Sequence, residues 1–245
     1  SGMPCPLPPG GSRELGQLSY LDAFGQPYGQ QPVTVLPAHC QPADHHFAAG
    51  ASHSLALDEL GRLWAWGSNS YGQVGDGTTE YIRPTPVLTD LGPLGEAVVV
   101  SLAATATSSF ALDDTGRLWS WGKNGMLGVD SSITESATPL EVDLSALGGA
   151  KVVAVEAAQV AALALDDAGR LWAWGRNFHG QLGDGTTTDR ATPVAVDLSA
   201  LGQARVVSMA MGGYHALALD DAGRVWAWGA NSNGALGNGT TTDPD

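Results

Sequence analysis

The chain has 245 residues, of which 43% are hydrophobic, 33 are glycine and 14 are proline. This composition indicates a globular protein with many turns and few long helices, and it favours an all-β fold. The formal net charge of −14 repels phosphate backbones and acidic membrane surfaces, so we expect neither a nucleic acid nor a membrane as the partner.

The first segment, residues 1–31, has a different character from the rest. A Ser-Gly pair before Met3 is typical of the scar of a cleaved tag, and no signal peptide is recognisable. The chain has two cysteines, Cys5 and Cys40, and a disulfide between them is one option. Because two cysteines do not define a redox compartment, the localisation stays open.

From residue 32 onward the sequence predicts strands in chain order. "QPVTVLP" (31–37) and "HHFAAG" (45–50) precede the alternating run "HSLALD", and an acidic glycine turn then leads into "GRLWAWG". Two period-two runs joined by such a turn predict a β-hairpin. A loop rich in Gly, Asn and Thr follows, and "TPV" then begins a further strand.

This order recurs four times. The first tryptophan of each pair marks the repeat, with spacings of 55, 53 and 54 residues, at Trp64, Trp119, Trp172 and Trp226. The second members of the pairs are Trp66, Trp121, Trp174 and Trp228. We divide residues 32–245 into four units, at about 32–82, 83–136, 137–190 and 191–245.

Each unit predicts one propeller blade. In the last unit the sequence predicts strands over 204–213, 215–221 and 223–229. A segment like 192–196 supplies the outer strand of a blade, and Pro193 near its start indicates a sheet edge. Four antiparallel strands in such a unit are typical of a β-propeller blade. The tryptophans are expected to pack between neighbouring blades.

The motifs "GGYHALAL" (212–219), "GRVWAWGAN" (223–231) and "GALGNG" (234–239) resemble the regulator of chromosome condensation repeat. The resemblance covers about residues 46–245 and implies a β-propeller, usually of seven blades. It also implies a range of functions, since the family includes a nucleotide exchange factor for a small GTPase, the plant UV-B receptor, ubiquitin-ligase modules and a bacterial β-lactamase inhibitor. The resemblance therefore indicates a scaffold and leaves the function open.

Four units do not fill a seven-bladed ring, and three explanations are open. The chain is part of a longer protein, two or more chains complete a ring, or the first 45 residues cover one end of a four-unit arc. A partial ring would otherwise expose apolar blade faces at both ends.

Residues that recur in every unit are interpreted as scaffold. They are the turn arginines Arg62, Arg117, Arg170 and Arg224, and the loop asparagines Asn69, Asn124, Asn177 and Asn231, whose side chains are expected to cap the loops. His53 and His215 share a repeat position that we align with Ser109 and Ala162 in the middle units, which indicates packing or a backbone hydrogen bond.

We expect no cofactor and no metal site. The "GDGTTTD" loop at 183–189 offers oxygen ligands but lacks the alternating carboxylates of a dedicated calcium site. The group His39, Cys40, His45 and His46 has no familiar zinc spacing. No nucleophile elbow, P-loop or dinucleotide motif occurs, and the windows that match the photoreceptor's Gly-Trp-Arg-His-Thr motif contain no tryptophan.

The loops after the tryptophan pairs differ between units, and varied loops on a shared scaffold are typical of a binding surface. Neutral drift at exposed loop tips is an equally good interpretation. The candidate partner-binding residues are Tyr71, Arg176, Phe178, His179 and Tyr214. The sequence thus favours a non-enzymatic protein-interaction scaffold. An inhibitor or regulator of a partner enzyme or GTPase is the alternative, and an enzyme with a site at the ring centre is less favoured.

Overall fold

The computed structural model describes residues 46–123 and 125–243, and the backbone of two strands in the N-terminal segment, β1 (Leu18–Leu21) and β2 (Pro27–Gln31). Strands β1 and β2 form an antiparallel pair. Several predictions concern residues outside the described ones. These are the Cys5–Cys40 disulfide, the strand at 32–37, most of the His39–His46 group and the cap formed by Asn124.

The described chain is all-β and forms four successive antiparallel sheets, as the sequence predicts. The strands of the first sheet are β3 (Phe47–Ala49), β4 (His53–Leu57), β5 (Leu63–Ser68) and β6 (Ile82–Leu88). Those of the second are β7 (Val99–Ala104), β8 (Ser108–Asp113), β9 (Leu118–Lys123) and β10 (Glu135–Glu141).

The third sheet contains β11 (Val152–Ala157), β12 (Ala161–Asp166), β13 (Leu171–Gly175) and β14 (Arg190–Ala195). The fourth contains β15 (Val206–Met211), β16 (His215–Asp220) and β17 (Val225–Gly229), and within the described residues it has no outer strand. The four sheets make up an open arc of blades, which is not closed into a ring.

The strand order within each blade follows from the local sequence. The Asp-Asp-Ala-Gly turn allows β16 and β17 to pair as a hairpin, because Gly223 adopts a φ of 79° that is costly for other residues. Pro193 lies in the outer strand β14, where the register with β13 shifts, so its missing N–H costs no ladder hydrogen bond. Both features confirm the predicted hairpin and edge strand.

The core consists of three apolar clusters, each between two consecutive sheets. One joins the first and second sheets through Leu55, Leu63 and Trp121, and another joins the second and third through Phe110 and Trp174. Every residue of β8 and β12 is buried, because these central strands are covered on both faces. Six tryptophans pack between blades, as predicted: Trp119, Trp121, Trp172, Trp174, Trp226 and Trp228. Trp64 and Trp66 of the first sheet are half-buried and lie outside these three clusters.

The fourth sheet is covered on one face only. Val225 is 69% exposed, and Trp226 and Trp228 are half-buried. A cleft of about 160 Å³, lined by Leu198, Trp226 and Trp228 among others, lies at the free edge of β17. The fourth sheet therefore has the same sequence motif as the others, but its residues are less buried.

Short 3₁₀ turns occur in the connections between blades, at Gly92–Leu94, Ser145–Leu147 and Ser199–Leu201. The Asp143 carboxylate accepts a hydrogen bond from the Ser145 amide at 3.0 Å, and Asp197 accepts one from Ser199 at 2.9 Å. These bonds hold the chain just before each turn, whose N-cap residues Leu144 and Leu198 make no side-chain cap hydrogen bond. No helix in the described residues is long and apolar enough to cross a lipid bilayer.

Candidate functional site

The antiparallel strands give each sheet two distinct ends. At the hairpin end lie the turns between the second and third strands, such as the one that joins β12 to β13, together with the connections between blades. At the loop end lie the turns between the first and second strands and the long loops that follow β5, β9, β13 and β17. Both ends carry recurring residues, the turn arginines at the hairpin end and the asparagines at the loop end, and the loop end also carries the varied loop tips.

The hairpin end is fastened by a repeated group of three side chains. In the third sheet, the Asp166 carboxylate accepts hydrogen bonds from the guanidinium of Arg170 at 2.7 Å and from the indole of Trp172 at 2.9 Å. The guanidinium lies over the Trp172 ring, 5.3 Å from its centroid. Equivalent groups form around Asp58, Asp113 and Asp220.

The carboxyls of these groups have lowered pKa values. Burial alone would raise the pKa of Asp220, but hydrogen bonds from the Trp226 indole and from the Arg224 backbone and guanidinium lower it to about 2. The turn arginines are therefore engaged in structural contacts within their own blades, which supports their interpretation as scaffold.

The long loops are held by the recurring asparagines. The side chain of Asn177 is fully buried, accepts a hydrogen bond from the Leu182 amide at 2.9 Å and donates to the Thr186 carbonyl at 2.8 Å. Asn69 and Asn231 make the equivalent bonds. This confirms the predicted loop caps for these three asparagines.

The loops of the first three sheets are also tied to the next blade. The indole of Trp121 donates to the Gln73 carbonyl at 2.9 Å, and the indole of Trp228 donates to the Gln181 carbonyl at 3.0 Å. Both glutamines are buried, and the Gln181 side chain accepts a hydrogen bond from the His179 amide at 2.9 Å. The loops therefore stand on a fixed base while their tips remain exposed.

The alignment of His53 and His215 with Ser109 and Ala162 is wrong by one residue. His53 pairs with Gly67 and His215 with Gly229, whereas the residues that pair with Gly122 and Gly175 are Ser108 and Ala161. The error arises because the runs "SSFALD" and "AALALD" begin with two similar small residues, so the sequence alone does not fix their position.

His53 is a buried structural residue. Its Nε2 lies 2.8 Å from the Ser109 hydroxyl, and that hydroxyl donates its proton to the Gln73 carbonyl at 2.7 Å. The imidazole is therefore the donor to Ser109. Burial lowers the pKa of His53 to about 4, so the ring is neutral.

Three of the predicted site residues form one cluster at the loop end. The rings of Phe178 and Tyr214 lie 5.6 Å apart, and His179 lies 4.7 Å from Phe178 and 5.6 Å from Tyr214, measured between centroids. Phe178 is 49% exposed and Tyr214 38%. This aromatic cluster joins the loop of the third sheet to the β15–β16 turn of the fourth.

An acidic residue supports the cluster from one side. Nδ1 of His179 lies 2.8 Å from Oδ2 of Asp243, while Oδ1 of Asp243 accepts a hydrogen bond from the Asn231 amide at 2.6 Å. The Asn231 amide and His179 together lower the pKa of Asp243. Sequence reasoning missed Asp243, although its repeat equivalent Asp189 accepts the same bond from the Asn177 amide and could have indicated it.

The structure places Tyr71 elsewhere on the loop end. Tyr71 is half-buried in the loop of the first sheet, and the ammonium group of Lys123 lies over its ring, 4.5 Å from the centroid. Lys123 ends strand β9 of the second sheet, so this contact also joins two blades. The cation–π pair was not foreseen, because it depends on the approach of two units.

The loop acids that could have suggested calcium already have partners. Oδ1 of Asp184 accepts hydrogen bonds from Thr186, and Oδ2 accepts one from Arg190 at 2.7 Å. Asp76 is bound in the same way by Thr78 and Arg83. In the part of the chain that the structure describes, no three His, Cys, Asp or Glu side chains are grouped as metal ligands would be.

These blades, hairpins and loops are shared with known proteins. The RCC1-like domain model matches residues 10–245. The chain belongs to the RCC1-like family. Human E3 ubiquitin-protein ligase HERC2 is 35% identical over 198 residues, which are 80% of this chain and 4% of that protein. The ultraviolet-B receptor UVR8 of Arabidopsis thaliana is 32% identical over 199 residues, 80% of this chain and 43% of the receptor.

Solved structures agree on the fold of this RCC1-like chain. Prp20p from Saccharomyces cerevisiae, whose structure is reported with its binding to Gsp1p and histones, matches with a TM-score of 0.66 at 29% identity over 81% of this chain and 49% of that one. Human WBSCR16 matches with a TM-score of 0.74 at 23% identity, over 91% and 55%. The chain spans less than half the length of the curated relatives named above. RCC1-like propellers mediate protein interactions and nucleotide exchange, and the domain is typically non-catalytic.

Proposed function

We propose that this RCC1-like chain is a non-enzymatic interaction scaffold that binds a protein partner through the loop end of its blades. The surface comprises the aromatic cluster of Phe178, His179 and Tyr214, with Arg176 two residues before Phe178 in the same loop and Tyr71 as a separate contact point. The observation that carries the proposal is the exposure of Phe178 and Tyr214 in a cluster that bridges two blades.

The aromatic cluster is not required by the blade architecture. The loop of the first sheet has Ser70 at the position of Phe178, and the fourth has Ser232. Each of these loops nevertheless keeps its asparagine anchor. Large exposed rings with low conformational entropy on a fixed base are typical of binding hot spots.

The test is photo-crosslinking in an extract of the source organism. Benzoylphenylalanine replaces Phe178 in one protein and Leu60, an exposed apolar residue at the hairpin end, in a control protein. We expect a discrete crosslinked protein at position 178, absent at position 60 and weakened when Tyr214→Ser is added. Equal products at both positions, or none at 178, would contradict the proposal.

Regulation of a partner enzyme or GTPase is the second candidate, and it is favoured by the similarity to Prp20p, which binds Gsp1p. In this case the protein crosslinked at position 178 would be an enzyme or a nucleotide-binding protein. Its activity or nucleotide release would change on addition of the wild-type chain and not on addition of the Phe178→Ser variant. A partner whose activity is unaffected by the chain would favour the simple scaffold.

A further inference from the structure

Arg176 differs from the other arginines that the structure describes. Seven of them donate to a carboxylate or to a backbone carbonyl: Arg62, Arg83, Arg117, Arg170, Arg190, Arg205 and Arg224. The Arg176 side chain is exposed and makes no hydrogen bond or ion pair within the described residues. In a chain with a net charge of −14, an arginine without a carboxylate partner is unexpected.

The repeat explains why Arg176 has no partner. Arg176 occupies the position of Lys123, each directly before the loop asparagine, and Lys123 lies over Tyr71 in the loop of the preceding sheet. The loop that precedes Arg176 is two residues shorter, "KNGMLG" against "SNSYGQVG", and it has no aromatic residue. The contact that covers the first cation is thus absent for the second.

Arg176 and Phe178 lie two residues apart in one loop, and both are exposed. The residue between them, Asn177, is fully buried and holds the loop through Leu182 and Thr186. Residues 176 and 178 are exposed on either side of this anchor. Because Asn177 fixes the loop backbone, less entropy is lost on binding, and the loop offers a cation and an apolar ring from two neighbouring positions.

We propose that the loop end binds a peptide segment of the partner that carries a carboxylate next to an apolar or aromatic side chain. The carboxylate pairs with Arg176, whose planar guanidinium suits two parallel hydrogen bonds, and the apolar side chain packs on Phe178 and Tyr214. A basic segment would be attracted by the chain as a whole but would meet a like charge at Arg176. This inference rests on the proposed function and adds the chemistry of the partner.

The test uses three phage libraries of 12-residue peptides panned on the full chain. One library combines Asp and Glu with Phe, Leu, Tyr, Ser and Gly, a second replaces the acids by Asn and Gln, and a third replaces them by Lys and Arg. We expect binders from the acidic library alone. Synthetic peptides from it should bind at least about tenfold more weakly to Arg176→Gln, because one charge-assisted pair is lost.

The controls separate this pair from net charge and from folding. Lys151→Gln removes the same charge at the hairpin end and should leave the affinity unchanged, whereas Arg176→Lys keeps the charge without the fork and should give an intermediate value. Thermal melting checks that each variant is folded. Binders that arise equally from the neutral or basic library, and that bind Arg176→Gln as tightly as the wild-type chain, would overturn the acidic chemistry. The scaffold function would remain intact if these peptides no longer bind the Phe178→Ser variant. An absence of any peptide that depends on Phe178 would overturn both proposals.

Discussion

The indole nitrogen of Trp172 donates to Oδ2 of Asp166 at 2.9 Å, and this bond links the third strand of a blade to the end of its second strand. Trp172 is only 6% exposed because its ring also packs in the cluster between the second and third sheets. Trp226 keeps the same bond to Asp220 at 2.9 Å but is half-buried in a sheet that has three strands among the described residues. Identical local sequences thus occupy sites of different burial.

The first prediction uses this difference. Trp172→Ala should lower the free energy of unfolding by about 3–5 kcal/mol, since a large buried ring is replaced by a cavity. The matched change Trp226→Ala should cost less, because part of that ring already contacts water. Urea unfolding followed by circular dichroism measures both, and equal losses would show that the interface of the fourth sheet is as well packed as the others.

The second prediction concerns Asp220, whose pKa is about 2 in the folded chain against an ordinary value of 3.8. Because the folded pKa is the lower one, its stabilising effect is fully present above about pH 4 and is lost as the pH falls towards 2. Asp220→Asn should destabilise the chain at neutral pH and flatten its pH dependence between these values. Unfolding curves of the two proteins at pH 5 and pH 2.5 give the stability of each. An equal loss of stability between these pH values in both proteins would contradict the lowered pKa of Asp220.

The third prediction concerns His53, which is 3% exposed and has its pKa lowered from 6.5 to about 4. In this window the unfolded chain binds a proton that the folded chain does not, so stability rises with pH from 4 to 6.5, by about 3 kcal/mol in total. His53→Gln should remove this slope. Midpoints of urea unfolding at pH 4.5 and 7 provide the measurement.

The blades could be predicted from the sequence because the pattern is repeated. Each unit has the same alternation, the same turn glycine and the same tryptophan pair. A strand that is misplaced in one unit can therefore be corrected by comparison with the others. The His53 position shows the limit of this averaging. Ser108 and Ser109 are chemically identical, and only the strand register shows that Ser108 lies opposite a glycine while Ser109 bonds to His53.

The loop end could be predicted only in part. Phe178, His179 and Tyr214 stand out because they differ between units, and the structure brings them together. The pairing of Lys123 with Tyr71 depends on how two blades approach, which no local pattern encodes. The solitary position of Arg176 emerges only when the partners of all other described arginines are known.

The fourth prediction tests whether the loop anchor supports the binding surface. Asn177→Ala removes the hydrogen bonds to Leu182 and Thr186 and leaves the buried Leu182 amide unsatisfied, so it should cost about 1–3 kcal/mol of stability. It should also loosen the loop that carries Arg176 and Phe178 and weaken the binding of acidic peptides. Asn69→Ala makes the equivalent change in the first sheet and should cost similar stability with a smaller loss of affinity. Anisotropy titrations with one labelled peptide, together with unfolding curves, measure both quantities. If the two variants weaken binding equally, the anchor acts through the stability of the whole arc and not through the local order of the loop.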